Sequence, residues 1–235
     1  MSRYKVILWD MDGTILDFYA AERVGIKKCF QEFGLGECSD ARLERYTAIN
    51  IKYWEALERG EITKPQVLVG RFQEFFAEEG IDVGLAEEFN AAYQLSLGDT
   101  IVFHDQADQI VRDLKGKVMQ VMVTNGSKEA QSKKLKTSGL GEVFDYIFIS
   151  DYVGHEKPTM EFFNHVFAGI PSVDKKDVVI IGDSLTSDIR GGNNAGIDTI
   201  WYNVEGLTND LGVHVDFEIT DLHEIYNILE MTNDN

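Results

Sequence analysis

The feature that most constrains this chain is an alternation that starts late. From Phe103 onward, short apolar runs alternate with amphipathic helical stretches. Strand-like runs occur at Val118–Val123, Tyr146–Ile149, Val178–Ile181 and Thr199–Tyr202, with a further short one near Asp216–Ile219. Helical patterns fit Asp105–Lys115, Lys128–Ser138, Met160–Ala168, Asp188–Ala195 and Leu222–Glu230. Runs that are apolar throughout suit strands buried on both faces, and strand–helix alternation suits a parallel sheet with helices on either side. One more such run, Lys5–Trp9, stands alone near the N-terminus.

Between Trp9 and Phe103 the pattern is helix after helix. A first helix from about Phe18 carries Ile26, Phe30 and Phe33 and stops near Gly34. A second starts near Ser39, a good N-cap, and aligns Leu43, Tyr46, Asn50, Trp54 and Leu57. A third opens with Thr63-Lys-Pro-Gln66, a capping box with proline in the first turn; it presents Leu68, Phe72, Phe75 and Phe76 and ends at Gly80. A fourth carries Leu85, Phe89 and Tyr93. Four such helices bury their stripes against one another. The expected fold is α/β: a doubly wound parallel sheet built from residues 1–17 and 98–235, with a four-helix cap inserted at 18–97. The crossing loops, Leu16–Tyr19 and Leu97–Asp105, are the natural hinges.

Charge narrows the partners. The net charge is -18, and past Arg190 nine Asp and Glu follow with no Lys or Arg. Such a field repels phosphodiester backbones and anionic bilayers, so neither a nucleic-acid polymer nor a membrane is expected as partner. No run approaches the ~20 apolar residues of a membrane span. Val6–Trp9 is too short for a secretory signal. Cys29 and Cys38 have no zinc spacing and read as reduced thiols. A cytoplasmic location is the expectation, and the sequence is silent on oligomeric state.

In an open parallel sheet, ligands gather at the carboxyl ends of the strands. Asp10-Met-Asp12-Gly13-Thr14 follows the first apolar run, Thr124-Asn125-Gly126 the second, and Ser150-Asp151 the third, with Lys157-Pro158 in the loop beyond. Gly182-Asp183-Ser184 and Asp188 follow the fourth. Two carboxylates about 4 Å apart repel by ~4 kcal/mol at an effective dielectric near 20. A hard divalent cation relieves that repulsion, and oxygen-only ligands favour Mg²⁺. Lys157 adds a point charge suited to phosphate, while Gly13 and Gly126 allow close backbone approach. Such a rim suits phosphoryl transfer, where positioning and charge neutralisation supply most of the catalysis.

These segments, in this order and spacing, resemble the four motifs of the haloacid dehalogenase superfamily, and the likeness covers essentially the whole chain. Apolar strand plus Asp10-x-Asp12-Gly-Thr14 is the first motif, Val121-Met-Val-Thr124-Asn125 the second, Lys157-Pro158 the third, and Gly182-Asp183 with Asp188 the fourth. A helical insertion directly after the first motif resembles that superfamily's first cap type. The resemblance implies a Mg²⁺-dependent phosphatase acting on a small phosphate ester. In it Asp10 is the nucleophile and Asp12 the general acid/base. It implies that Mg²⁺ is held by the carboxylates of Asp10 and Asp183 and the backbone carbonyl of Asp12. Thr124 and the amide of Asn125 would cradle the phosphoryl oxygens, with Lys157 neutralising the group and Asp188 acting through water or through Lys157.

Within the cap, Tyr46…Asn50…Trp54…Gly60-Glu-Ile-Thr63…Gly70-Arg71-Phe72 resembles bacterial pyrimidine 5′-nucleotidases of the house-cleaning type. That likeness implies pyrimidine (deoxy)nucleoside monophosphates as substrates, with Asn50, Trp54 and Phe72 facing them. Each residue also has a plainer reading: Asn50 as a satisfied amide between helices, Trp54 and Phe72 as cap core, Arg71 as partner of a neighbouring acid. The rivals are a phosphosugar phosphatase or mutase, a Schiff-base phosphonate hydrolase using Lys52 or Lys64, and a silent phosphate-binding scaffold. Asp17 and Asp151, though near the rim, stand outside the expected catalytic set, and His155 and His165 lack metal spacing.

Overall fold

A computed structural model describes residues 3–229. Strand β1 (Val6–Trp9) leads into α1 (Phe18–Glu32), α2 (Asp40–Glu58), α3 (Lys64–Glu79) and α4 (Ala86–Ser96). The chain then runs α5 (Ala107–Leu114), β2 (Met119–Thr124), α6 (Lys128–Ser138), β3 (Tyr146–Ile149), α7 (Ser150–Val153) and α8 (Met160–Gly169). It finishes with β4 (Val178–Gly182), α9 (Arg190–Ala195), β5 (Asp198–Tyr202), β6 (Phe217–Ile219) and α10 (Ile225–Ile228).

All six strands are parallel, in the order β3-β2-β1-β4-β5-β6. Side chains alternate across a strand, and β1 divides accordingly. Val6 and Leu8 join Phe162, Phe163 and Val166 of α8 on one face. Ile7 and Trp9 join Ile110, Val111 and Leu114 of α5 and Leu222 and Ile225 on the other. The sheet order reverses beside β1, whose neighbours are β2 and β4. That switch point opens a crevice at the carboxyl end of β1, where Asp10 follows.

The four inserted helices form the expected cap around their own aromatic core. Phe72 stacks on Tyr46 at 5.1 Å between centroids and meets Phe89 at 5.0 Å edge-on. The expected stripe on α3 holds at Phe72, Phe75 and Phe76, all fully buried, while Val67 takes the buried place expected of Leu68, which is only partly buried. The capping box at Thr63 and Gln66 is present, and Ser39 and Asp17 accept from the backbone N–H groups of Arg42 and Ala20. Chain exit and return lie side by side. Leu16 bridges Phe103, Asp17 N–H donates to Val102 O at 2.9 Å, and His104 N–H donates to Ile15 O at 3.1 Å.

Two helix boundaries depart from the sequence pattern. The helix expected from Asp188 begins at Arg190, preceded by a wide turn over Leu185–Ile189. The wide turn closes on Ser184 O, which accepts from both Asp188 N–H at 3.0 Å and Ile189 N–H at 3.1 Å, while the Asp188 carboxylate accepts from Lys157 Nζ and Ser184 N. The last helix divides into a tight turn at Leu222–Glu224 and α10, while Glu230 lies outside the described residues. No helix among the described residues is long and apolar enough to cross a membrane.

Candidate active site

Strand β1 delivers Asp10 into the crevice, where it is 7% exposed. Its Oδ1 accepts from Lys157 Nζ at 2.6 Å. Lys157, almost wholly buried, also donates to Asp188 Oδ1 at 2.6 Å and to Val123 O at 2.9 Å. All three ammonium protons of Lys157 are therefore placed. The lysine is steered from β2: Asn125 Nδ2 donates to Lys157 O at 2.9 Å, and Lys157 N–H donates to Asn125 Oδ1 at 2.8 Å. The side chain of Asn125 thus serves the lysine loop.

Asp183 closes the other side. Its Oδ1 accepts from Thr14 Oγ1 at 3.1 Å, and its carbonyl accepts from Trp201 Nε1 at 2.9 Å. Gly13 sits at φ +90°, and a Cβ there would lie 2.5 Å from Asp183 Oδ2, so only glycine lets this turn pass the carboxylate. Oxygens of Asp10, Asp183 and Asp188 lie within 4.8 Å of one another. Burial pushes Asp10 up to about 7, with Lys157 pulling it back and Asp188 and Asp12 pushing further. Burial, followed by the Asp10 and Asp188 charges, pushes Asp183 well above the usual carboxylate range. Burial opposes the charge on Lys157, yet Asp10 and Asp188 outweigh it and raise its pKa. One ammonium against three carboxylates leaves uncompensated negative charge, and the donors are all hard oxygens. That set fits a divalent cation of the magnesium type.

The cavity over these groups measures about 560 Å³. Asp10, Asp12, Gly13, Thr124, Asn125, Lys157, Asp183 and Asp188 all line it. Phe18, Tyr19, Trp54 and Trp201 form aromatic walls, and Leu207 and Leu211 close a further side. Among the described residues Lys157 is the only lysine or arginine in the lining, which also holds Glu55, Glu58, Glu205 and Asp210.

The structure separates the three expected cap residues. Trp54 lines the cavity. Asn50 also borders it, but its amide is spent within the cap: Nδ2 donates to Glu22 Oε2 at 2.9 Å, and Oδ1 accepts from Arg71 Nη1 at 2.6 Å. Phe72 is a correction. It is fully buried among Tyr46, Phe76, Phe89 and Tyr93 and does not line the cavity. Helical spacing puts Phe72 on the apolar stripe, and the stripe faces the cap core. Arg71, 1% exposed, pairs inside the cap, where burial lifts Glu22 to about 6 against the pull of Thr47, Arg71 and Asn50.

Several contributors were not legible in the sequence. Glu58, at the end of α2, hydrogen-bonds Thr186 Oγ1 across the cap–core boundary, and burial lifts it to about 7. Lys64 donates to Ser150 Oγ at 2.8 Å and Gly126 O at 3.0 Å and pairs with Asp151. Burial pulls Lys64 below the ordinary lysine range while Asp151 opposes that pull. It opens on a second cleft and not on the Asp10 cavity. The loop after β5 is held by Asn203, which donates to Leu207 O at 2.9 Å and accepts from Leu207 N at 2.8 Å. Its only sequence signal is a lone asparagine directly after a buried strand.

A parallel sheet with this cap and an acid-and-lysine rim at its switch point defines a hydrolase of the capped α/β type. The profile of haloacid dehalogenase-like hydrolases matches residues 7–202, and the chain belongs to that family. It is 37% identical to the HAD-hydrolase YfnB of Bacillus subtilis, over 99% of this chain and 98% of that protein. It is 34% identical to the pyrimidine 5′-nucleotidase PynA of Streptococcus pneumoniae, over 97% of this chain and 95% of that protein. The crystal structure of YfnB bound to magnesium superposes with a TM-score of 0.88 at 36% identity, covering 97% of this chain and all of that one.

Proposed function

We propose that this chain is a Mg²⁺-dependent phosphatase that hydrolyses nucleoside 5′-monophosphates, preferentially pyrimidine ones, through an aspartyl-phosphate on Asp10. The observation that carries the chemistry is the placement of Asp10 Oδ1, 2.6 Å from a buried lysine and beside Asp183, at the floor of a cavity. Mg²⁺ would be held by the carboxylates of Asp10 and Asp183 and the carbonyl of Asp12, where it supplies charge to a phosphoryl group.

Asp10 forms a bond to phosphorus while the ester P–O bond breaks and its electron pair goes to the leaving oxygen. The proton on the Asp12 carboxyl passes to that oxygen. In the second half, a water oxygen bonds to phosphorus and gives its proton to Asp12. The electron pair of the Asp10–P bond returns to Asp10, and inorganic phosphate leaves. Lys157 holds Asp10 in place and neutralises the phosphoryl oxygens, and Thr124 and the Asn125 amide cradle them. Asp188 fixes Lys157.

The leaving-group end supports the nucleotide reading. Aromatic walls suit a flat base, and the acids around them disfavour a second anionic group. The likeness to PynA points the same way. In a panel of esters releasing inorganic phosphate, we expect pyrimidine monophosphates to lead. The matching diphosphates should fall at least about tenfold behind in kcat/KM, near 1.4 kcal/mol of transition-state binding. Equal rates for mono- and diphosphates would sink the role given to the acidic walls. A sugar-phosphate isomer formed without release of phosphate would instead favour a mutase.

Metal dependence has a sign set by the carboxylates. Asp10 and Asp183 have raised pKa values in the folded protein, so both keep protons that the unfolded chain has lost. Without metal, the contribution of Asp10 to stability therefore declines as pH rises from about 4 through about 7, and that of Asp183 declines in the same direction. Metal must displace those protons, so it stabilises more at high pH. At Mg²⁺ near 100 times Kd, ~2.7 kcal/mol of stabilisation is expected. That corresponds to a Tm rise of about 5–10 °C at pH 8 for a chain of this size. Little rise is expected at pH 5.5. A Tm shift independent of pH, or turnover that persists in excess chelator, would remove the metal from the proposal.

A further inference from the structure

The proposed acid/base, Asp12, does not stand free in the cavity. Its Oδ1 accepts from Lys134 Nζ at 2.5 Å, and its Oδ2 accepts from Gln131 Nε2 at 2.7 Å. Both partners project from α6, 119 and 122 residues further along the chain. The Lys134 side chain is 1% exposed and Gln131 is fully buried. Asp12 is the only carboxylate in an ion pair with Lys134 among the described residues. The ammonium also lies 5.4 Å from the centre of the Phe18 ring, the first residue of α1 and part of the cavity wall. A buried lysine against an aromatic ring, whose one charged partner is the acid/base, is a costly arrangement to keep without a purpose.

A second observation comes from the motif that follows β2. A Cβ on Gly126 would lie 1.9 Å from Gln131 Nε2. The glycine beside the phosphate cradle is therefore required by the path of Gln131 to Asp12. One turn thus serves both halves of the site, the cradle at Thr124 and Asn125 and the clamp on Asp12.

We propose that Gln131 and Lys134 are positioning residues that fix the Asp12 carboxyl for proton transfer to the leaving oxygen. This rests on the phosphatase reading above. Each bond takes one acceptor position on its oxygen and leaves the other for the cavity, which Asp12 lines. With the carboxyl held from both ends, its approach to the ester oxygen is preorganised and its rotation is restricted. Without the clamp, the nucleophile Asp10, the lysine and the cradle remain in place, but the proton donor is free to turn.

The effect should depend on the leaving group, which a merely structural role would not produce. An alkyl ester such as a nucleoside 5′-monophosphate needs a proton on its departing oxygen. An aryl ester such as p-nitrophenyl phosphate departs without one. For Lys134→Met we expect kcat/KM on the alkyl ester to fall about 100-fold or more, the low end of general-acid contributions. On p-nitrophenyl phosphate it should fall less than about 5-fold. Gln131→Met, the milder change, should give the same selectivity with an alkyl loss of about tenfold, and keeps the test open if Lys134→Met unfolds. In an Asp12→Asn background, Lys134→Met should add less than about twofold, because the group it positions is already gone.

Equal losses on both esters, or full additivity with Asp12→Asn, would overturn the proposal while the phosphatase reading stood. A wild-type chain inactive on both esters would overturn that reading and this one with it.

Discussion

Asp10→Asn is expected to hydrolyse phosphate monoesters at a rate about 10⁴-fold or more below the unaltered chain. The substitution keeps shape and volume, and an amide oxygen still accepts from Lys157, whose Nζ lies 2.6 Å from Asp10 Oδ1. What disappears is the anionic oxygen that bonds to phosphorus. Loss of a covalent nucleophile reaches about 10⁶-fold in well-studied hydrolases, where the remaining site still catalyses weakly through binding and charge. A 10⁴-fold loss corresponds to about 5 kcal/mol of barrier. Two measurements check it. Steady-state phosphate release gives the rate, and rapid acid quenching with labelled ester gives the trapped phosphoenzyme, present in the unaltered chain and absent in the variant. Near-normal turnover in Asp10→Asn would remove the covalent route and make direct attack by water the alternative.

Lys157→Met is expected to damage both activity and stability, and the second effect carries a pH signature. The ammonium is buried between Asp10 and Asp188 and closes a third bond on Val123 O. Removing one partner of a buried charge cluster costs about 3–5 kcal/mol. Removing a preorganised charge that faces the transition state costs about 10²–10³-fold in rate. Asp10 already has a pKa of about 7 with the lysine beside it, because burial outweighs the pairing. Without the lysine, which pulls its pKa down, Asp10 holds its proton still more tightly in the folded state than in the unfolded chain. The variant should therefore be least stable at pH 8 and regain part of the difference towards pH 5.5. Urea unfolding at both pH values decides it. A variant as stable as the parent at pH 8 would mean that Lys157 is not the charge that holds this cluster together.

The core of the molecule was legible because its signals are local. A parallel strand buried on both faces is an unbroken apolar run, and β1, β2, β3, β4 and β5 all lie where such runs occur. The motif residues Asp10, Thr124, Lys157, Asp183 and Asp188 line one cavity because each lies at the carboxyl end of a strand or in the segment that leads from it. Cap residues were harder, because a helical stripe shows which face is apolar but not what that face meets. Phe72 and Trp54 both sit on such stripes, yet Phe72 is cap core and Trp54 is cavity wall.

Polar residues on an apolar face were the signal left unused. Gln131 and Lys134 share the buried side of α6 with Ala130 and Leu135. A glutamine and a lysine at those positions contradict amphipathic patterning, and such contradictions tend to mark functional sites. Asn50 and Arg71 gave a similar contradiction in the cap, but there the answer is internal. Glu22 supplies the counter-charge, and the amide of Asn50 connects the two. Spacing alone does not separate these cases, because it omits the distance to a carboxylate far away in the chain.

The paired crossing at Leu16 and Phe103 has a consequence for how such proteins diversify. The polypeptide departs from the sheet and rejoins it at one hydrogen-bonded point, so an intervening segment need only close the same short gap. The entropy of closing a loop grows slowly with length, by about 0.6 kcal/mol per doubling. Segments of quite different size can therefore be exchanged at that junction with little penalty to the sheet. Evolution, or an engineer, can rewrite what the enzyme accepts by replacing a module while the machinery beneath it stays untouched.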